Sequence, residues 1–337
     1  MPGILRWQPW CCTPSGTIGR RCCRERGACG VITVVGEALL DLLAAGDGRT
    51  FTAHPGGSPA NVAAGLARLD VPTTLATRIG DDLPGMMVRE HLNSCGVTLR
   101  QLPGHSSATN LALAAVDSDG VAQYDFRLDW DITASPYLPD DCRYLHTGSL
   151  AASLTPGAEV VEHLLASTRR SGRAAVSFDP NLRPAICGDR TRERDRVDRQ
   201  VQYCDIVKAS AEDIAWIHPN RDPREVARGW LDHGPSLVVV TMGPAGAWAA
   251  SHSAASERPA PGVAVVDTVG AGDAFTSGIL AALHRPELPI GTGSDELSAL
   301  DSDGLGALLE FASRVAALTC MRQGAEPPTL AECASQA

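Results

Sequence analysis

Residues Asp267-Thr268-Val269-Gly270-Ala271-Gly272-Asp273 run directly into an apolar helical stretch, AFTSGILAALH. Glycines at 270 and 272 let backbone N–H groups converge at a helix N-terminus, where unpaired donors and the positive dipole end favour an anion. A carboxylate beside such an anion hole suits a general base, which takes a proton while the amides hold developing phosphate charge. Asp273 equally suits a plain helix N-cap, and residue types alone leave the two readings level. A second turn, His54-Pro-Gly56-Gly57-Ser-Pro-Ala-Asn61, opens a small-residue helix. Gly56 and Gly57 permit close backbone approach to a ligand and Asn61 offers both a donor and an acceptor, although a simple loop and cap would look the same. Glu37 and Asp41 are read at the end of the first strand, where a parallel sheet gathers ligand contacts. Carboxylates there suit a ligand rich in hydroxyls.

Three further polar turns follow apolar, strand-like runs: Asp179-Pro-Asn181-Leu-Arg183, Lys208-Ala-Ser210-Ala-Glu212-Asp213 and Thr241-Met-Gly243-Pro-Ala-Gly246. Polar turns at successive strand ends argue for one shared crevice. Lys208 is the only lysine among 29 basic residues. It follows a valine in DIVKAS, so neither the Gly-Lys-Ser/Thr of a P-loop nor the strand lysine of a protein kinase is available.

The elements that must position these turns begin at Val31. VITVVGEALLDLL reads as a β-rich run, ANVAAGLARLD as a helix, TTLATRIG as a strand and LPGMMVREHLNSCG as a helix stopped near Gly96. TNLALAAV and VAQYDFRL alternate apolar and polar residues around DSDG, a hairpin signal. CRYLHTGSLAAS reads as a strand entering a loop, and PGAEVVEHLLASTRRSG as a helix. AAVSFDPNLRP, DIVKASAEDIAWI and SLVVVTMGPAGAWAA are successive strand-and-turn units, and FASRVAALTCMRQGAEPP is the last helix. Alternating strands and helices predict an α/β fold whose mostly parallel sheet is covered on both faces. The early hairpin should form a small appended sheet, and residues 285–304 the longest loop.

The chain has 337 residues, 44% hydrophobic and 20% charged, ordinary for a globular α/β protein. A net charge of −10 offers no basic field for nucleic acid or an anionic membrane, so neither is expected as a partner. No run of 18 apolar residues predicts a transmembrane helix. Five of the eleven cysteines crowd residues 1–30, four of them as the adjacent pairs Cys11-Cys12 and Cys22-Cys23 and Cys29 alone, without zinc-site spacing. That segment has no secretory apolar core. It is expected to be a disordered extension, with Val31 a candidate start and the protein cytoplasmic.

In this order, GGSPANVAAGLARLD and DTVGAGDAFTSGIL resemble the two signatures of the ribokinase/PfkB family of carbohydrate kinases, over about Val31 to Pro328. GEALLDLL, TRIGDD, YDFR and SFDPNLRP are further similar to its fructokinase branch. The resemblance implies a ribokinase-like three-layer α/β/α domain over 31–330, with a β-sheet lid from about 43–55 and 109–128, and a homodimer through that lid. It implies ATP-dependent transfer of the γ-phosphoryl group to a sugar hydroxyl, with Asp273 as base and Gly270, Ala271 and Gly272 as the anion hole. Asp41, Gly56, Gly57, Asn61 and Arg127 would bind the sugar. Lys208, Ser210, Thr241, Gly243, Gly246 and Gly324 would flank the nucleotide. Asp267 and Thr268 match a position where relatives bind a monovalent cation such as K⁺. Where the family has N-x-x-E near Mg²⁺ and the phosphates, this chain reads Ser210 and Asp213, which keeps the charge one methylene shorter. Other acceptors implied by the same family are 2-keto-3-deoxygluconate, ribose or a nucleoside. A sugar-binding regulator without transfer is the alternative outside the enzymes.

Overall fold

The computed structural model describes residues 30–45, 49–116, 122–285 and 294–335. The expected extension, the DSDG turn and part of the 285–304 loop fall outside them. The central sheet is laid down by β1 (Val31–Val35), β4 (Thr73–Thr77), β5 (Thr98–Gln101), β8 (Cys142–Gly148), β9 (Ala175–Asp179), β10 (Ile206–Ser210), β11 (Leu237–Thr241), β12 (Ala247–Ser251) and β13 (Ala255–Arg258), in the order β13-β12-β11-β10-β9-β8-β1-β4-β5. From β11 to β5 every pairing is parallel.

Alternate residues of these strands feed two separate cores. Ile32, Val34, Leu75, Tyr144 and Val239 face one cluster, and Val35, Ala76, Leu145, Val238 and Val240 the other. That is the two-faced burial a parallel sheet requires. On the first face lie α1 (Ser58–Arg68) and α2 (Leu83–Ser94). On the second lie α3 (Ser149–Ser153) and α4 (Gly157–Ser171), then, beyond the short α5 (Pro184–Cys187), α6 (Arg190–Val201), α7 (Ala211–Ile217) and α8 (Pro223–Leu231). The chain returns to the first face with α9 (Ala271–His284), α10 (Ser294–Ser298), α11 (Ser302–Cys320) and α12 (Leu330–Ser335). The fold is therefore a three-layer α/β/α sandwich.

A second sheet, in the order β3-β2-β6-β7, joins β2 (Leu39–Ala44), β3 (Phe51–Gly56), β6 (Asn110–Val116) and β7 (Ala122–Arg127). Its parallel β2–β6 pair is flanked by antiparallel partners. It meets the core through Leu39, Ala112 and Leu150.

Four expectations are corrected. VITVVGEALLDLL is two strands in two sheets: β1 ends at Val35, Glu37 sits in the connector and Asp41 belongs to β2, so the small sheet starts at Leu39 rather than 43. The glycine at 36 packs against Pro59 of α1, and the chain changes sheets there. SLAAS is the short helix α3, not a loop, with Gly148 at the end of β8 as its N-cap. LVVVTMGPAGAWAA is an antiparallel hairpin, because the tight turn Gly243–Ala245 reverses the chain onto β12. The 285–304 stretch holds α10 and the start of α11, whose N-cap is Asp301.

The small sheet is tied to the core by one buried guanidinium. Arg78, 2% exposed, donates to the carbonyls of Ser106, Ala108 and Asp129 at 2.8–3.0 Å and pairs with Asp131 at 3.1 Å. Beside it, the Asp82 carboxylate accepts from Thr109 N, Thr109 Oγ1 and Gly85 N. Both groups clamp the root of β6. Arg78→Met would strand three carbonyls and a carboxylate. We expect a loss of about 3–5 kcal/mol of stability, measured by urea denaturation; a change within about 1 kcal/mol would show that the guanidinium is not the clamp.

Candidate active site

Crossover topology brings the carboxyl ends of the parallel strands to one edge, and the polar turns converge there. Asp273 lies in the first turn of α9 with its side chain buried. Its carboxylate is held from another helix. Ser58 Oγ donates to Oδ1 at 2.6 Å and Asn61 Nδ2 to Oδ2 at 2.8 Å, both from the start of α1. Asn181 Nδ2 donates to Ser58 Oγ at 2.7 Å and to Asp273 Oδ1 at 3.3 Å. The N-cap of α9 is Gly270, with no side-chain cap. Asp273 is therefore not capping its own helix.

Gly270 takes φ +74°, and a Cβ there would meet Ala325 at 2.4 Å. The left-handed turn and the close approach both require glycine. Ala271 N donates to Thr268 O at 3.2 Å, whereas the amides of Gly270, Gly272 and Asp273 have no acceptor among the described residues. They are the orphan donors of a helix start, in the same turn as the Asp273 side chain. Burial raises the Asp273 pKa, and Ser58, Asn61, Arg183 and Lys208 pull it back only in part.

On the small sheet, Asp41 stands opposite His54 in the β2–β3 register. Burial pushes its pKa up to about 6 against the pull of His54 and Arg183, with Asp273 adding repulsion. Gly56 leaves room for it, since a Cβ would sit 2.2 Å from Asp41 Oδ2. Gly57, at φ +98°, caps α1 and lies against the Glu37 carbonyl. Glu37 is buried and pushed up to about 7, although Ala151 N donates to its Oε2 at 2.9 Å. Arg127 is an exposed residue of β7 paired with Asp125 at 2.6 Å.

The remaining candidates lie in the turns after β10, β11 and α11 and ahead of α9. Thr241 ends β11 beside Ser210 of β10. Gly243 opens the turn and Gly246 closes it, with a Cβ at 246 meeting Pro259. Pro259 also lines a cleft of about 430 Å³ between the exit of β13 and α11, whose other wall includes Ser313 and Leu318. Gly324 N donates to Asp267 Oδ2 at 2.9 Å and Val269 N to Oδ1 at 3.0 Å; burial works against these bonds, yet they hold the Asp267 pKa below the usual aspartate range. Ser210 and Asp213 make a reciprocal capping box at the start of α7, and Leu182 N donates to Asp213 Oδ1 at 2.9 Å. Among the described residues no group of three or more His, Cys, Asp or Glu could hold a metal ion.

Three members stood in turns the sequence singled out without a role for them. Ser58 and Asn181 hold the Asp273 carboxylate, and Asp179 pairs with Lys208 at 2.8 Å. Asn181 takes φ +37° just past β9, and Ser149 takes +54° just past β8, conformations uncommon for non-glycine residues. The DPNLRP turn was the available signal; which side chains faced inward was not.

Comparison with known proteins agrees with this geometry. The pfkB family carbohydrate kinase pattern matches residues 31–332. A fructokinase of Klebsiella pneumoniae is 36% identical over 303 residues, 88% of this chain and 95% of that protein. Among solved structures, a Xylella fastidiosa fructokinase with bound ATP superposes with a TM-score of 0.78 at 27% identity, covering 90% of this chain and 97% of the other. A Vibrio cholerae O395 fructokinase double mutant bound to fructose, ADP and potassium gives 0.75 at 26% identity, with 91% and 98% covered. With both signature turns built around one buried carboxylate, and the match spanning both sheets, the chain belongs to the pfkB family of carbohydrate kinases.

Proposed function

We propose that this chain is an ATP-dependent fructokinase in which Asp273 is the general base. The observation that carries the reading is the placement of Asp273: a buried carboxylate, held by Ser58 and Asn61, beside the unpaired amides of Gly270 and Gly272. The fructokinase relatives, one with ATP and one with fructose and ADP, support the choice of substrates.

In this mechanism Asp41, Gly56, Gly57 and Asn61 bind the sugar beneath the small sheet, with Arg127 at its rim. Thr241, Gly243, Gly246 and Gly324 border the nucleotide, and its base enters the cleft between Pro259 and Ser313. The acceptor oxygen attacks the γ-phosphorus as its proton passes to Asp273. The bond to the bridging oxygen breaks, and its electron pair leaves on ADP. The amides of the α9 turn stabilise charge on the transferred oxygens, the dominant need of phosphoryl transfer. Asp213 commits both oxygens within the protein, so Mg²⁺ is taken to arrive as MgATP rather than in a carboxylate cage. The K⁺ reading rests on Asp267 and Thr268, whose loop carries an ionised carboxylate beside the nucleotide wall. A homodimer through the small sheet would cover Leu43 and Phe51, each 44% exposed.

The reading is tested by ADP release across D-fructose, ribose, 2-keto-3-deoxygluconate and a nucleoside. Fructose should give the highest kcat/KM; a tenfold advantage for another acceptor refutes the assignment, and no turnover with any would leave a sugar-binding protein. Asp273→Asn keeps the side chain's size but turns one acceptor oxygen into a donor, and it cannot take the proton. It should fold, bind both substrates and turn over at least ~10²-fold more slowly. Near-normal kcat would remove Asp273 from the chemistry. Both Asp273 and Asp41 must be ionised to act, and burial raises both pKa values. With MgATP saturating, kcat/KM should therefore fall as pH drops through about 6, well above an ordinary aspartate near ~3.9. An acid limb near ~4 would contradict the burial argument.

A further inference from the structure

Lys208 sits in the middle of β10 with its ammonium buried. Nζ bonds Asp179 Oδ2 at 2.8 Å, and the same oxygen accepts from Thr276 Oγ1 of α9 at 3.2 Å. The same Thr276 proton is within reach of Gly272 O, with Oγ1 3.0 Å away. The side that Gly272 leaves open faces the ammonium directly, since a Cβ there would lie 3.3 Å from Nζ. The lysine is thus packed under the turn whose amides are unpaired. Charged and titratable groups face it from every neighbouring element: Asp179 of β9, Asp213 of α7, Asp273 of α9, and His146 of β8, which burial keeps neutral with a pKa near 4.

Stability does not account for this arrangement. A buried ion pair is commonly no better than well-packed apolar side chains, and an ammonium beside a helix N-terminus adds positive charge to a positive dipole end. The arrangement becomes favourable when further negative charge enters the turn. Resting on the phosphoryl-transfer reading above, we propose that Lys208 is a positioning residue of the transfer step. Through Asp179 and Thr276 it fixes the first turn of α9, and its charge beneath Gly272 strengthens the field of the amides on the transferring phosphoryl group. Proton and electron movements remain those already given; Lys208 exchanges no proton.

The chain has one lysine, so ¹³C-lysine labelling yields a one-residue spectrum of Lys208. In the wild-type protein its Cε resonance should move when fructose, MgADP and aluminium fluoride are added together, and stay in place with fructose alone. An unmoved resonance in the full mixture overturns the proposal. Lys208→Met combined with Asp179→Asn removes both charges at once and avoids a stranded carboxylate. It should keep substrate affinities within about threefold and lose about 10²-fold in kcat. A kcat within about threefold of wild type, or a loss matched by weaker nucleotide binding, would likewise overturn it. Failure of the wild-type chain to phosphorylate any sugar would sink the kinase reading and this inference with it, whereas an active wild type with an unaffected double variant sinks the inference alone.

Discussion

Asp273 lies where the N-termini of α1 and α9 meet, and the positive ends of both helices converge on its single charge. Holding a carboxylate there constrains everything around it. The two helices must approach closely, which they do at Gly65, where a Cβ would sit 2.5 Å from Ser277 Oγ. Both must also start at the carboxyl edge of the sheet, which parallel strands with helical crossovers provide. The cost is desolvation, visible as the raised pKa of Asp273. For the general base proposed above, a pKa drawn upward from the aspartate range also makes a better proton acceptor at neutral pH.

The site is electrostatically layered. Asp41 and Glu37 lie toward the small sheet, Asp273 at the meeting of helices, and the Asp179–Lys208 pair beneath. Burial raises the pKa of each of the first three. Glu37, buried and pushed to about 7, also sits in the connector between the two sheets, where Ala151 N from α3 reaches it. Its proton is held more tightly folded than unfolded. The stability it contributes is full below about pH 4.5 and is lost as pH rises through about 7.

Much of this was legible in the sequence because glycine-rich turns and apolar strands carry local signals. The strand ends at Asp179, Ser210 and Thr241, the Asp273 turn and the second sheet could all be read from residue order. Sheet membership could not. The leucines flanking Asp41 from Leu39 to Leu43 are apolar whether they continue β1 or found β2, and the switch at 36 depends on packing against Pro59. Ser58 and Asn181 were illegible for a related reason: each lies in a turn that was noticed, but its orientation toward Asp273 is fixed by contacts far away in the chain. Ser210 and Asp213 show the converse, since their spacing is also that of a capping box, which is what they form.

The passage from β1 through Glu37, β2 and β3 into α1 places Asp41, Gly57, Ser58 and Asn61 in one unbroken piece of chain. Lys208, Thr241 and Asp273 come from the other half. On the proposed reading, this keeps most of the residues set against the acceptor apart from those set against the nucleotide. Substitution or recombination within the first segment can explore new acceptors while the second is inherited intact, and Ser58 and Asn61, which touch Asp273, are the positions such drift must leave alone.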